Sequence, residues 1–156
     1  MRVMYNLVMN QELNGVINHS AGARKTDYLF RLSLNGVVMN DVGQILFVKE
    51  SGRDWWDLPG GGMDHGEDIK SALAREMHEE VNLNGDFEYK IIYVHEPKLL
   101  EHINAYQVRL FFIVKPENME FSPGEDGDEL AFMSIDELRE VDEPRAQLLE
   151  KILSSR

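Results

Sequence analysis

The spacing of apolar residues along the chain predicts strands interleaved with helices. Alternating or short β-rich apolar runs mark the strands, and the continuous apolar run at 111–114 is predicted to be buried on both faces. Turn residues at 40–43 separate the first two predicted strands, which favours a hairpin between them. The third and fourth strands are expected to form the central sheet. The predicted strands lie at 28–38, 44–49, 87–94, 103–114 and 129–133.

Three segments carry the signals of helices. Apolar residues recur at helical spacing over 68–81, shortly after a loop with consecutive glycines at 60–62. Residues 134–137 have the spacing of a capping box that opens a short second helix, and Pro144 suits the first turn of a last helix that runs to about residue 153. Strands and helices in this order predict an α/β fold with a mixed sheet.

The first 27 residues differ in composition from the remainder of the 156-residue chain. After a short apolar start they are rich in Asn, Gly, His and Ser, which predicts an N-terminal strand or arm followed by a loop. Residues 28–156 are predicted to form a single domain, because their length suits one compact core. The oligomeric state is left open, although residues 1–20 could exchange between the two subunits of a homodimer.

The charge of the chain changes the range of ligands to consider. Sixteen basic and 28 acidic residues give a net charge of −12. Long nucleic acids are bound by clustered Lys and Arg, so this charge argues against a nucleic-acid polymer as partner. A local group of cations or a metal ion can still hold a small phosphorylated ligand.

The absence of cysteine and of a long apolar run excludes several classes of site and of protein. The chain contains no cysteine, which excludes disulfides, thiolate zinc sites and a cysteine nucleophile, and favours a reducing compartment. The longest strictly apolar run, 110–114, is far shorter than the roughly 20 residues of a membrane-spanning helix. The sequence therefore predicts a cytoplasmic protein without a membrane partner.

Two glutamates lie on the apolar side of the predicted helix at 68–81. At about 100° per residue, Glu76 and Glu80 fall within about 20° of Ile69. Burying a carboxylate without a partner is costly, so a positive group should meet them. With Glu79 nearby, these oxygen ligands favour Mg²⁺ or Mn²⁺ over zinc. Three isolated glutamates would instead suggest a solvated acidic face, but the adjacent glycine loop favours the cation site.

A longer motif includes these glutamates. Gly61 is followed after five residues by Glu67 and, after seven more, by Arg75-Glu76-Met77-His78-Glu79-Glu80-Val81-Asn82-Leu83. This pattern resembles the signature of the Nudix hydrolases, the MutT-like family, in which the position of Asn82 is occupied by glycine. Asn adopts the left-handed conformation more readily than other non-glycine residues, so it can still end the helix there.

The resemblance implies the Nudix fold, an α/β/α sandwich with a mixed β-sheet and a loop–helix–loop catalytic box. It also implies a hydrolase that uses Mg²⁺ or Mn²⁺ to cleave the diphosphate of a small nucleoside diphosphate derivative by attack of water at phosphorus. Arg75 and Glu67 are implied to orient the metal-binding carboxylates, and one of the glutamates to act as general base. The implied metal ligands are the Gly61 carbonyl and the carboxylates of Glu76, Glu79 and Glu80.

Signals outside this motif are weaker. Lys49 and Arg53 lie where related proteins place cations that contact phosphate, although both are equally compatible with a solvated surface. Trp55 could stack on a nucleobase or simply pack, whereas packing is favoured for Trp56. The acidic segment 125–129 lies where many members of the family recruit a further catalytic glutamate, and whether it contributes here is left open.

Other functions are also compatible with parts of the sequence. The main alternative is a catalytically silent Nudix-fold module that binds a nucleotide or a regulatory partner, but degenerate glutamates would mark such a module and here all are intact. The isoprenoid diphosphate isomerase branch of the family uses a cysteine that this chain lacks. An RNA-decapping role is disfavoured by the net charge of −12 and the lack of a basic stripe. The identity of the substrate is open.

Overall fold

The computed structural model describes residues 14–155. Within them, the N-terminal segment forms a small antiparallel pair of strands, β1 (Val16–Asn18) and β2 (Thr26–Tyr28). The part of the predicted N-terminal arm that precedes residue 14 lies outside the described residues. The division of the chain at residue 27 therefore stays a prediction.

The largest sheet among the described residues has four strands, β3 (Arg31–Val37), β5 (Gly60–Gly62), β6 (Phe87–Leu100) and β7 (Ala105–Pro116). Their order in the sheet is β5–β3–β7–β6. Strands β3 and β7 run parallel, whereas the pairs β3–β5 and β6–β7 are antiparallel, so the sheet is mixed as predicted. The two longest strands are the ones that the sequence assigns to the central sheet.

The predicted hairpin between the strands at 28–38 and 44–49 forms only next to its turn, where Met39 and Ile45 make an antiparallel bridge and the Leu46 N–H donates to the Val38 carbonyl at 2.9 Å. Strand β4 (Ile45–Glu50) pairs with β8 (Gly127–Met133) in a separate two-stranded sheet. The turn itself forms, since the Asn40 N–H donates to the Gln44 carbonyl at 2.9 Å. Both edges of β3 are already occupied by β5 and β7, however, so β4 finds its hydrogen-bonding partner in β8 instead.

The three predicted helices are present: α1 (Ile69–Val81), α2 (Ile135–Val141) and α3 (Glu143–Ser154). Each begins where a side chain satisfies free backbone N–H groups. The Asp68 carboxylate accepts from the Ser71 N–H at 2.8 Å at the start of α1. Ser134 and Glu137 form the predicted capping box of α2, and Pro144 lies in the first turn of α3.

The helices cover the two faces of the four-stranded sheet. Helix α1 packs its buried Ala72, Leu73 and Met77 in one apolar cluster, whereas α2 and α3 pack in a second cluster. Successive side chains of β7 point to opposite faces of the sheet, so Phe112 belongs to the first cluster and Phe111 to the second. This layering is the predicted α/β arrangement with helices on both sides of a mixed sheet. No helix among residues 14–155 is long and apolar enough to cross a membrane.

The end of α1 depends on a left-handed residue. Asn82 has φ 52° and ψ 35°, and its N–H donates to the His78 carbonyl at 3.0 Å. The predicted left-handed cap is therefore confirmed. The Asn82 side chain also donates to the Ser122 hydroxyl at 2.9 Å, which ties the helix end to the loop before β8.

Substitutions of Asn82 should distinguish the cost of the backbone conformation from that of the side chain. We expect Asn82→Val to lower the free energy of unfolding by about 1 kcal/mol or more, because a β-branched residue is strained in this conformation. Asn82→Gly should be nearly neutral, since relief of the backbone offsets the lost hydrogen bond. Urea unfolding measures both changes, with Ser122→Ala as the control for the hydrogen bond alone. An unchanged midpoint for Asn82→Val would contradict this assignment.

Candidate active site

A cleft of about 710 Å³ lies between the glycine strand β5, helix α1 and the polar ends of β3, β7 and β6. Acidic side chains come from α1, from the end of β4 and from the loop before β8. Basic side chains come from β3, β6, β7 and the loop after β4. The cleft therefore has the carboxylates of α1 on one wall and side chains of the sheet, including Arg31 and Lys98, on the facing wall, which suits an anionic ligand held together with a cation.

The three glycines of β5 bring the backbone close to the cleft. Gly60 has φ 141°, a value that side-chain-bearing residues rarely adopt. Gly61 packs against the middle of α1, where a Cβ atom would lie 2.5 Å from Oε2 of Glu76. The motif thus needs glycine at position 61 so that the backbone and the Glu76 carboxylate can share this space.

Two of the three helix glutamates are buried, as their helical positions predict. Glu80 is 4% exposed and accepts a hydrogen bond of 2.9 Å from the Gly60 N–H. Burial raises the pKa of Glu80 to about 8, and the neighbouring carboxylates of Glu50, Glu76 and Asp57 act in the same direction. Burial also raises the pKa of Glu76, although Arg75 opposes this. The positive charge around each carboxylate is therefore too small to offset the cost of burying its ionised form.

Arg75 joins the parts of the motif through its guanidinium group. Its Nε and Nη2 atoms donate to the two oxygens of Glu67 at 2.7 and 2.9 Å, and Nη2 also donates to the Gly62 carbonyl at 3.0 Å. Nη1 donates to Glu76 at 2.7 Å and to Glu79 at 3.3 Å. The hydrogen bonds from Arg75 are the main reason that the pKa of Glu67 falls to about 2. This bidentate pair fixes the position from which Arg75 reaches the helix carboxylates.

The chemistry of the motif residues suits a hard divalent cation. Their available ligands are carboxylate and carbonyl oxygens, which Mg²⁺ and Mn²⁺ prefer, and two of the carboxylates are buried without full compensation. Arg75 and the Gly60 N–H occupy some of these oxygens, so among residues 14–155 no three His, Asp or Glu side chains are gathered as a ready-made metal site. Binding would require the carboxylates to exchange these contacts for the cation.

Of the three predicted substrate-binding residues, Lys49, Arg53 and Trp55, only Arg53 lines the cleft. Arg53 lines the cleft but is paired with Glu50 at 2.5 Å, whereas Lys49 is not a lining residue and contacts Glu129 at 3.4 Å. Lys49 also lies over the ring of Trp56, and Arg53 over the ring of Trp55. Trp55 is 47% exposed and is not a lining residue. Trp56 packs against the second apolar cluster, as predicted.

The acidic loop before β8 is fastened to the end of α1. The Gly124 and Asp126 N–H groups donate to the carbonyls of Glu80 and Glu79 at 3.0 and 2.8 Å. Asp126 lines the cleft, whereas Asp128, in β8, is not a lining residue and accepts from the Ser51 hydroxyl at 2.8 Å. Of this acidic segment, Asp126 is thus the residue that the fold brings beside the helix glutamates.

Sequence reasoning missed the wall of the cleft that faces the motif. Arg31, Ser33 and Asn35 of β3 line the cleft, beside Gln107 and Arg109 of β7. The signal was available in part, because the apolar alternation at even positions of 28–34 leaves the odd positions on the other face. Nothing in the sequence indicated that β7 is the neighbour of β3. Glu50 and Asp57, which also line the cleft, had no recognisable signal.

Comparison with known proteins bears on this site. The chain is 40% identical over 73 residues to an RNA pyrophosphohydrolase of Ruthia magnifica subsp. Calyptogena magnifica, a match that spans 47% of this chain and 40% of the relative. It is similar in structure to the MutT protein of Methanosarcina mazei Go1, with a TM-score of 0.63, 18% identity and coverage of 79% of this chain and 92% of the other. A UDP-X diphosphatase gives a TM-score of 0.65 at 19% identity, over 82% and 64% of the two chains.

These likenesses agree with the motif and the fold. The structural neighbours are too distant in sequence to show more than the fold, and they confirm the Nudix fold that the motif implies. The chain spans less than half the length of the RNA pyrophosphohydrolase that it matches. The NUDIX domain matches residues 29–153, which include the motif and both helical layers. The chain therefore belongs to the NUDIX domain family.

Proposed function

We propose that this chain is a divalent-cation-dependent hydrolase that cleaves a phosphoric anhydride bond in a small nucleoside diphosphate derivative. The observation that carries the proposal is the pair of buried carboxylates, Glu76 and Glu80, beside the glycine strand at one wall of a cleft with cations on the other. A buried acidic pair of this kind is poorly explained by packing, because it is destabilising without a bound cation. The family membership favours the same reading.

The residues of the motif have distinct roles in this proposal. Glu76, Glu79, Glu80 and the Gly61 carbonyl would hold Mg²⁺ or Mn²⁺. When bound, the cation neutralises the diphosphate and lowers the pKa of the attacking water. Arg75, held by Glu67, keeps Glu76 and Glu79 in place while the cation site is forming. One carboxylate in this group takes the proton of the water.

The comparisons and the charge of the chain favour substrates of different size. Relatives named RNA pyrophosphohydrolase match part of this chain, whereas the net charge of −12 opposes a long polyanion. We therefore propose a small nucleotide as the substrate and treat an RNA 5′ end as the alternative to test. A nucleotide-binding module without catalysis is the second alternative, which intact glutamates disfavour.

A hydrolysis screen in ¹⁸O-labelled water tests the proposal. The screen should include nucleoside triphosphates, nucleotide sugars, dinucleoside polyphosphates and a 5′-triphosphorylated RNA, each with Mg²⁺ and with a chelator. We expect Mg²⁺-dependent cleavage of a small nucleotide, with the label in a phosphate-containing product because water attacks phosphorus. Label found only in a released sugar would contradict attack at phosphorus. An absence of hydrolysis across the screen would favour the nucleotide-binding module. Cleavage of the RNA alone would contradict the proposal that the substrate is a small nucleotide.

A further inference from the structure

Among residues 14–155, four Lys and Arg side chains line the cleft, and two of them already have carboxylate partners. The Arg53 guanidinium lies 2.5 Å from a Glu50 oxygen. Arg109 lies 3.6 Å from Asp57 and donates to the Asn35 side chain at 3.1 Å. These two arginines therefore have carboxylate partners of their own within the protein. The four Lys and Arg residues in this described part of the cleft are Arg31, Arg53, Lys98 and Arg109.

Arg31 and Lys98 are different, since neither forms an ion pair or a side-chain hydrogen bond with any residue in the described range 14–155. The chain has 28 acidic residues, and yet none of those within 14–155 pairs with either of these two cations, which face a shared cleft. Exposed cations are commonly solvated, but two unpaired cations on one wall, opposite a cluster of carboxylates, form a local positive field. Such a wall suits an external anion.

The two cations belong to one row across three neighbouring strands. Arg31 of β3 is the register partner of Gln107 in β7, and Gln107 is also the register partner of Lys98 in β6. Adjacent strands are about 4.8 Å apart, so the backbones of Arg31 and Lys98 are roughly 10 Å apart with the amide of Gln107 between them. We call these three residues the phosphate row.

The phosphate row begins beside the catalytic motif. The guanidinium of Arg31 lies over Gly62, where a Cβ atom would be 2.5 Å from Nη2 of Arg31. The carbonyl of the same glycine accepts the hydrogen bond from Arg75. Gly62 is therefore a positioning residue for Arg31, because any side chain there would displace the guanidinium. From this point the row extends across the sheet, away from Gly61 and Glu76.

We propose that the phosphate row binds the phosphates that lie beyond the cleaved linkage, so that the preferred substrate carries a 5′-triphosphate rather than a diphosphate joined to a neutral sugar. This inference rests on the proposed function, which it makes more specific. Arg31 presents a forked donor to the phosphate next to the motif, Gln107 donates an amide N–H, and Lys98 provides a point charge at the outer end. A neutral sugar would leave both cations without a partner.

Direct binding of inorganic triphosphate tests the row without requiring catalysis. We expect calorimetry in metal-free buffer to show that Arg31→Gln and Lys98→Gln each weaken triphosphate binding by about tenfold. Lys90→Gln is the matched control, because Lys90 lies on the same strand as Lys98 but outside the cleft, and it should not change the affinity. Unchanged affinity in both row variants, or an equal loss in the control, would overturn the proposal.

Kinetics then separate this inference from the proposed function. The two row variants should lower kcat/KM for a nucleoside triphosphate by at least about tenfold and for a nucleotide sugar by less than about threefold. Equal losses on both substrates would assign the row to the diphosphate that they share and would overturn the proposal. If no substrate is hydrolysed but the row variants still lose triphosphate binding, the row is supported and the proposed function fails.

The 5′-triphosphate can come from a free nucleotide or from the end of an RNA, and the same variants distinguish these sources. A free nucleoside triphosphate and a 5′-triphosphorylated oligonucleotide should be compared at several salt concentrations. Loss of kcat/KM on the free nucleotide supports the small-molecule source. A loss confined to the oligonucleotide supports the row and identifies the RNA end as its ligand. No loss on either one would overturn the proposal.

Discussion

Glu80→Gln is expected to lower turnover by about 10³-fold or more while the protein remains folded. The carboxylate would hold the cation that stabilises the charge developing on the phosphates, and loss of several kcal/mol of that stabilisation corresponds to a change of this size in rate. The fold should persist because a glutamine oxygen can still accept from the Gly60 N–H, which lies 2.9 Å from Glu80. Turnover with Mg²⁺ and urea unfolding without it measure the two effects.

The direction of the stability change gives this prediction a second readout. Burial raises the pKa of Glu80 to about 8, which means that the ionised carboxylate is disfavoured in the folded protein without a cation. Replacing it by a neutral amide should therefore leave the metal-free melting temperature unchanged or raise it. Mg²⁺ should raise the melting temperature of the parent by mass action and that of the variant much less.

Glu88→Gln provides the matched control for Glu80→Gln. Glu88 is an exposed carboxylate on β6, outside the cleft, so this change removes one negative charge without altering the motif. It should retain parental turnover and the parental response to Mg²⁺. Near-parental turnover in Glu80→Gln, with Mg²⁺ present, would contradict the assignment of Glu80 as a cation ligand.

The parts of the fold that the sequence predicts well are those set by local chemistry. The capping box at Ser134, Pro144 at the start of α3 and the left-handed Asn82 each depend on residues within one helical turn. The pairing of β4 could not be predicted in this way. The turn at 40–43 indicates a hairpin, but the hydrogen-bonding edges of β3 are taken by strands much further along the chain.

The candidate site likewise has one part that the sequence predicts and one part that depends on the order of strands in the sheet. Glu67, Arg75, Glu76 and Glu80 lie within one short segment, so their spacing alone indicates that they meet. The opposite wall consists of side chains from β3, β6 and β7, whose proximity depends on the order of strands in the sheet. The sequence predicts Lys49 and Arg53 as phosphate contacts because they are close along the chain to the glycine loop. In the folded chain both have acidic partners, whereas Arg31 and Lys98, which form no ion pair with another described residue, come from strands distant in sequence.

Gly60→Ala and Gly61→Ala, although adjacent, should fail in different ways. A Cβ atom at position 60 would overlap the Leu34 carbonyl oxygen and lie 2.8 Å from the Asn35 Cα atom, and both belong to the backbone of β3. With φ at 141° as well, the substitution cannot keep β5 paired with β3. We expect Gly60→Ala to lower the free energy of unfolding by more than about 3 kcal/mol.

At position 61 the obstacle is the Glu76 carboxylate, at the end of a flexible side chain that can move aside. Gly61→Ala should therefore fold with near-parental stability, but displacement of Glu76 from its place should lower turnover by about 10²-fold. Urea unfolding and Mg²⁺-dependent turnover, measured on both variants, separate the two outcomes. Parental stability of Gly60→Ala would contradict the backbone overlap, and parental turnover of Gly61→Ala would show that the position of Glu76 does not matter. If both expected results are obtained, Gly60 is required for the pairing of β5 with β3, and Gly61 for the space that the Glu76 carboxylate occupies.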